Sequence, residues 1–435
     1  TTNAVVTNGL DTAYLNTALS KGIGGKYLDP YNINLTNADI LNKVTSFKSG
    51  GVALQKLVQS QLTLNGTVFE LPGGPVKMAI GGKYDWEGFY SNLNVGVIPG
   101  KPYRGSHRVV TSTFGEVHVP VIGDGNRIPL AYSLDLDVSG RIDNYSVFGN
   151  TANYKLGLSW QPVEELTIRA TRGTSYDAPS LADTTPNQGR IQLQLYNAPN
   201  PIVPPGTSLA DSLRPSILVP GANEALRPEL GSTWSLGADF HPSGALEGFD
   251  FGTTYYHLTI SRQIGLLVNN LQLFSVPSYS QYYILNPTLE QVLSYNKTIV
   301  QGFPGTDVAS GYAAGQTLPY ILYDARRNNL GNSILSGLDF NANYTGDFDF
   351  GTLSGGISGT YSFENKTAGS AAGPFVSIQS VGVPIYAISG FTQLITGPWN
   401  LRASVQFSPG FRVDPNTQAY KLYAQRHIGS FATVN

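Results

Sequence analysis

Apolar and polar residues alternate along this chain with a period of two, over stretches far longer than an ordinary strand. From Leu130 it reads LAYSLDLDVSGRIDNYS. In an extended backbone Leu130, Tyr132, Leu134, Leu136, Val138, Gly140 and Ile142 share one face. Ala131, Ser133, Asp135, Asp137, Ser139, Arg141 and Asp143 share the other, and no apolar stripe at helical spacing fits. VKMAIGGKYDWEGFY repeats the pattern, with Val76, Met78, Ile80, Tyr84 and Trp86 opposed to Lys77, Lys83, Asp85 and Glu87. Strands of roughly 15 residues reach about 50 Å, enough to cross a bilayer and project beyond it.

About thirteen such segments are predicted, near 53–70, 75–91, 104–121, 129–146, 152–162, 165–175, 228–241, 248–262, 330–345, 349–365, 381–396, 399–412 and 416–431. The connections alternate in length. LPGGP, IGDGNRIP, PVEE, PSGALEG, TGDFDF and TGPWN are short, whereas 176–227 and 263–329 each exceed fifty residues. A strict up-and-down order puts all the short turns at one rim and all the long loops at the other, as in outer-membrane barrels. GFDFGT and DFDFGT each open a strand after a short turn, placing Phe249, Phe251, Phe348 and Phe350 where an interfacial aromatic belt would form. Before the first clear strand, 9–21 and 37–44 are predicted helical, with caps at Asp11 and Asn37.

Composition narrows the choice. Of 435 residues only 13% are charged, against 49 Gly, 25 Tyr and 19 Phe. No run of 18 apolar residues exists, so the sequence encodes no membrane helix. Cysteine is absent, which removes disulfides, thiolate metal sites and cysteine nucleophiles. The net charge of −2 gives no case for nucleic acid.

Four segments in register resemble the barrel of TonB-dependent outer-membrane receptors. They are LPGGPVKMAIGGKYDWE, LGLSWQPVEELTIRATRGTSYDAPSL, NEALRPELGSTWSLGADFHP and NLGNSILSGLDFNANY. A Trp-Gln-Pro turn and a strand lead into Tyr176-Asp177-Ala178-Pro179-Ser180; an Asn-x-x-Leu-x-Pro-Glu motif follows at Asn223, Leu226, Pro228 and Glu229. The resemblance implies an all-β, antiparallel up-and-down transmembrane barrel, here about 13 of roughly 22 strands. It also implies that the plug domain and strands at both ends lie outside this chain. The expected organisation is an extracellular, partly helical segment at 1–52, barrel strands over 53–431 with long extracellular loops at 176–227 and 263–329, and a truncated end at 432–435.

By resemblance the function is active uptake of a scarce nutrient, by a monomer in the bacterial outer membrane. Its partners would be lipid, lipopolysaccharide and the TonB complex; its ligand a ferric siderophore, haem, cobalamin or an oligosaccharide. A passive porin and a soluble β-rich adhesin are the competing readings. No catalytic residue, metal ligand or cofactor is expected. The five histidines form no HExxH, and neither GxSxG nor GxxxxGK[ST] occurs. Asp135 and Asp137 point the same way in a strand and fit a hydrated wall that pairs with Arg141 or Lys83.

Tyrosine-rich loops offer stacking area with a hydrogen-bonding tip. Tyr279, Tyr282, Tyr283 and Tyr323, with Arg326 and Arg327, are therefore the candidate ligand contacts. Phe274, Tyr295, Tyr312, Tyr320, Arg190, Tyr196 and Arg214 belong to the same loops. A self-packed lid touching no ligand explains the tyrosines equally well. The motif residues Tyr176, Ala178, Pro179, Ser180, Asn223, Pro228 and Glu229 are expected to be structural.

Overall fold

The computed structural model describes residues 2–9, 14–15, 18–19, 28–29, 32–45, 47–94, 104–184, 194–199, 213–219, 222–266, 277–295, 321–324, 326–371, 373–413 and 427–434. Two compact units are present, one of residues 1–60 with 84–110 and one of residues 61–83 with 111–435.

In the first unit, β1 (Thr2–Gly9) lies antiparallel to the start of β2 (Phe47–Leu71), from Thr2 opposite Leu54 to Gly9 opposite Phe47. Residues 1–52 thus contain a strand besides the expected helical turns. Its pairing is supplied by a segment some forty residues away, which local alternation does not reveal. The helix α1 (Ala38–Thr45) starts where its cap predicts, since Asn37 Oδ1 accepts the Asp39 N–H at 3.0 Å. Ile40 and Val44, one turn apart, bury against Ala18 and Leu28. Asp11 lies outside the described residues.

The remaining wall strands are β3 (Gly74–Asn94), β4 (Arg104–Ile122), β5 (Ser133–Tyr145), β6 (Gly149–Val163), β7 (Leu166–Asp177), β10 (Glu229–Phe240), β11 (Phe249–Gly265), β14 (Asn328–Phe348), β15 (Gly351–Ala368), β17 (Tyr386–Thr396), β18 (Trp399–Ser408) and β21 (Phe431–Val434). They pair in chain order from β1 to β21, and the order is an open path. Shorter strands lie in the connections between them: β8 (Gln194–Pro199), β9 (Leu213–Val219), β12 (Tyr283–Leu285), β13 (Ile321–Asp324), β16 (Val376–Ser377), β19 (Phe411–Arg412) and β20 (His427–Ile428). Every wall pair whose register is resolved is antiparallel. Of the strand predicted at 416–431, residues 416–426 lie outside the described residues, and β21 begins where it was expected to end.

Burial along β5 inverts the rule for a soluble sheet. Its apolar face is the open one, with Leu136 38%, Val138 49% and Ile142 58% exposed, while Asp143 on the polar face is 0% exposed. Leu134 is half-buried, and Ile80 on β3 is 48% exposed. Among the described residues no second protein layer covers these side chains. In water such a face would be covered or polar.

Aromatic rings mark both limits of the apolar face. At the short-turn end Phe249 stacks on Phe251 at 5.7 Å and meets Tyr344 at 4.7 Å, and Phe348 stacks on Phe350 at 5.1 Å. Farther along the strands a second set links Trp234 to Tyr255, Tyr255 to Phe363, Phe363 to Tyr361 and Tyr361 to Tyr386. On β18 the span from Trp399 to Phe407 is about 26 Å at ~3.3 Å per residue, the length a tilted strand needs for a hydrocarbon layer.

Candidate functional site

The two longest connections, 178–228 and 266–327, leave the same end of the second unit and are joined into one body. The first contributes the antiparallel pair β8–β9, and the second contributes β12–β13. These pairs then meet through β13 and β9 in parallel, Ile321 opposite Ser216 and Asp324 opposite Val219. Parallel pairing cannot be made by a tight hairpin, so it needs two segments distant in sequence. Ile321, Leu322, Tyr323, Val292 and Tyr279 are buried in this body. Full burial of each large aliphatic is worth about 1.5–3 kcal/mol relative to exposure, which holds the described strands of the two connections together.

A polar knot ties the feet of both loops to the wall. Asn223, 6% exposed, donates through Nδ2 to the Arg327 carbonyl at 2.9 Å and to Asn328 Oδ1 at 3.0 Å. Its Oδ1 accepts the Ala225 N–H at 3.0 Å, and its own N–H donates to the Asp183 carbonyl at 2.8 Å. Asn329 accepts the Arg227 N–H at 2.8 Å and donates to the carbonyls of Arg227 and Arg262 at 2.8 and 2.7 Å. Glu229 Oε1 accepts the Ile264 N–H at 2.6 Å. The backbone groups freed where three strands end are thereby satisfied.

The sequence motifs are parts of this knot. Leu226 and Pro179 are fully buried, and Ser180 caps the turn Leu181–Thr184, accepting the Asp183 N–H at 3.1 Å. Tyr176 meets Tyr145 edge-on, hydroxyls 3.0 Å apart. Ala178 is half-buried between these anchors, and Pro228 enters β10 directly before Glu229.

The six candidate contacts divide unequally. Tyr279 and Tyr323 are buried, 6% and 3% exposed, whereas Tyr282 and Tyr283 are half-buried. Tyr283 lies opposite Tyr323 in the β12–β13 register. Burial, then Asp324 and Tyr279, pushes the Tyr282 phenol above its ordinary value, so it stays a neutral donor. Arg326 forks onto Asp324 at 2.9 and 2.7 Å, and Arg327 pairs with Asp183 at 2.8 Å. Both guanidinium charges are therefore neutralised locally, and the expected attraction of an anionic chelate is reduced. Phe274, Tyr312, Tyr320 and Arg190 lie outside the described residues, as do the side chains of Tyr196, Arg214 and Tyr295. Sequence reasoning missed Asp183, Asp324, Asn328 and Asn329, although the polar run DARRNN leading into β14 was a visible signal.

Below the loops, the polar face of the second unit is cross-linked strand to strand. Arg141 donates to both oxygens of Asp143, at 2.8 and 3.0 Å, and to Ser112 at 2.8 Å. His118 Nδ1 lies 2.9 Å from Asp137 and Nε2 3.7 Å from Asp135, so this imidazole sits against both carboxylates. Arg169 forks onto Asp239 at 2.5 and 2.9 Å, and Thr360 donates to Asp339 at 2.6 Å. Arg169, Asp239, Asp339, Thr360, Ser389 and Gln406 are among the residues lining a concavity of about 650 Å³. Among the described residues no cluster of His, Asp and Glu is arranged to hold a metal ion.

The sequence profile of the TonB dependent receptor-like β-barrel family matches residues 2–435. Comparison with curated protein sequences found no match. Among solved structures, the ferric enterobactin receptor PfeA of Pseudomonas aeruginosa is similar over 100% of this chain and 50% of its own, at 15% identity and a TM-score of 0.57. The siderophore receptor PirA of Acinetobacter baumannii matches over 89% and 48%, at 14% identity and a TM-score of 0.53. The outer membrane transporter YddB of Escherichia coli matches over 90% and 48%, at 8% identity and a TM-score of 0.52. This chain thus spans about half the length of these proteins, and at such identities the likeness is one of fold.

Proposed function

This chain belongs to the TonB-dependent receptor β-barrel family, and on that premise we propose that it forms much of the wall of an outer-membrane receptor for active uptake of a ferric siderophore. The observation that carries the reading is the inverted burial of the wall. Leu136, Val138 and Ile142 are open while Asp143 is closed off, which suits lipid outside and water inside. The long-loop end then faces the medium and the short-turn end the periplasm.

Tyr282 and Tyr283 are the proposed ligand contacts within the lid, because they alone of the six candidates combine partial exposure with no charge to satisfy. Tyr279 and Tyr323 hold the lid together, and Arg326 and Arg327 close its feet. A catecholate or similarly aromatic chelate suits stacking on phenol rings; haem, cobalamin and oligosaccharides are the cargoes it must outcompete. Energy for release would come from the TonB complex, and lipopolysaccharide would surround the lid.

The test uses the full-length protein in its own outer membrane. Uptake of a labelled ferric siderophore should require both this gene and an energised TonB complex. Flux that persists after TonB is deleted would identify a passive pore instead. Loss of uptake in Tyr282→Ala with Tyr323→Phe unaffected would support the division of the tyrosines.

A further inference from the structure

We infer that the apolar face carries a binding site for the phosphate of a membrane lipid, built by Arg172 with Tyr154, Trp234 and His257. The inference rests on the membrane reading above and adds a specific ligand contact to it.

Arg172 is exposed on the face that otherwise holds Leu166, Ile168 and Ala170 of the same strand. The ladder places it opposite Leu156 on β6 and Trp234 on β10, and Trp234 opposite His257 on β11. Trp234 stacks on His257 at 6.1 Å and meets Tyr255 at a tilt at 5.0 Å, so the aromatic floor beside the guanidinium is fixed. Arg172 Nε lies 3.4 Å from the Tyr154 hydroxyl, and among the described residues no carboxylate pairs with it. Its cross-strand neighbours Leu156 and Trp234 carry no charge.

Height on the strand explains why a charge is tolerated here. Below the row the outward residues are apolar, Leu236, Ala238 and Phe240 on β10; above it they turn polar at Thr174 and Ser232. A guanidinium is expensive at the bilayer midplane and cheap at its edge. Trp and Tyr prefer the same level, where lipid headgroups lie. A planar fork with five donors, one directed to Tyr154, still offers two parallel N–H groups to phosphate oxygens. Lys can supply charge but not the fork.

The test is native mass spectrometry of the delipidated full-length protein, titrated with bis-phosphorylated lipid A and with its dephosphorylated form. Wild type should retain the phosphorylated lipid about tenfold more than Arg172→Gln does, the loss expected for one charge-assisted pair. Arg172→Lys should fall between them, and the dephosphorylated lipid should bind both proteins as Arg172→Gln binds lipid A. Unshifted heat-modifiability on gels shows that each variant is folded. Equal retention by wild type and Arg172→Gln would overturn the site, as would displacement of the lipid by equimolar inorganic phosphate. A protein that stays monodisperse without detergent and takes up no lipid would instead sink the membrane reading itself.

Discussion

Replacing Asn223 with alanine should unlatch the two long loops while leaving the wall intact. The side chain makes three hydrogen bonds, two as donor to Arg327 O and Asn328 Oδ1 and one as acceptor from the Ala225 N–H. The site is nearly closed to water, with Asn223 6% and Asn328 8% exposed. Truncation therefore strands partners that solvent cannot readily satisfy. At about 0.5–1.5 kcal/mol per bond, and more where a buried group is left unpaired, the cost is about 2–4 kcal/mol. That is a roughly 30- to 900-fold rise in local opening. The nearby Arg327–Asp183 pair is geometrically as good at 2.8 Å, but Arg327 is 43% exposed. Solvent screening holds such a pair to about 0–1 kcal/mol, so Arg327→Gln should accelerate opening less than about tenfold. Hydrogen exchange on the full-length protein measures both, using amides of 213–219 and 321–324 for the lid and 251–260 for the wall. The reasoning fails if Arg327→Gln opens the lid as far as Asn223→Ala, or if wall and lid exchange rise together.

Other consequences follow from the same geometry. Leu136→Arg places a charge on the open apolar face and should cost up to about 2–4 kcal/mol in refolding into vesicles, whereas Asp137→Asn on the polar face should cost under about 1 kcal/mol; equal effects would contradict the assignment of faces. Leu226→Ala, at a residue 2% exposed, should destabilise the loop feet by about 2–5 kcal/mol and appear as faster proteolysis within 178–228. Arg326→Gln should loosen the lid, because it leaves the Asp324 carboxylate, 9% exposed, without its partner; a salt-dependent fall in ligand on-rate with an unchanged lid would instead restore Arg326 as a ligand-steering residue. The Tyr282 phenol is held above its ordinary value by burial, then by Asp324 and Tyr279. The lid stability it supports should be complete below pH ~10, where free tyrosine ionises, and decline above it, because the unfolded state loses the proton first. An ultraviolet difference titration of wild type against Tyr282→Phe should show the missing phenol titrating late.

Much of the wall could be worked out from the amino-acid order alone. Alternation at period two is a property of covalent geometry, since successive side chains leave an extended backbone on opposite sides. It therefore appears in any stretch of ten residues, and β3, β5, β10 and β15 fall close to where it puts them. Asn37 starts α1 for an equally local reason, its side chain reaching an amide two positions ahead. The choice between ligand contacts and a self-packed lid could not be made that way, because each tyrosine suits both.

Tertiary structure separated buried Tyr279 and Tyr323 from half-buried Tyr282 and Tyr283 and set the pairings beneath them. Asn223 and Arg327 are 104 positions apart, and Arg169 and Asp239 are 70 apart. Nothing in either neighbourhood states which distant partner will arrive, because loop closure constrains separation only weakly and burial selects the match. The parallel seam between β9 and β13 is the extreme case. Its two strands are short and irregular in pattern, and they pair across about a hundred residues of chain. The chain's local periodicity thus determined which side chains share the open apolar face and which the polar one, while long-range packing determined that strands of the two long connections form one sheet and that Arg326 and Arg327 pair with Asp324 and Asp183.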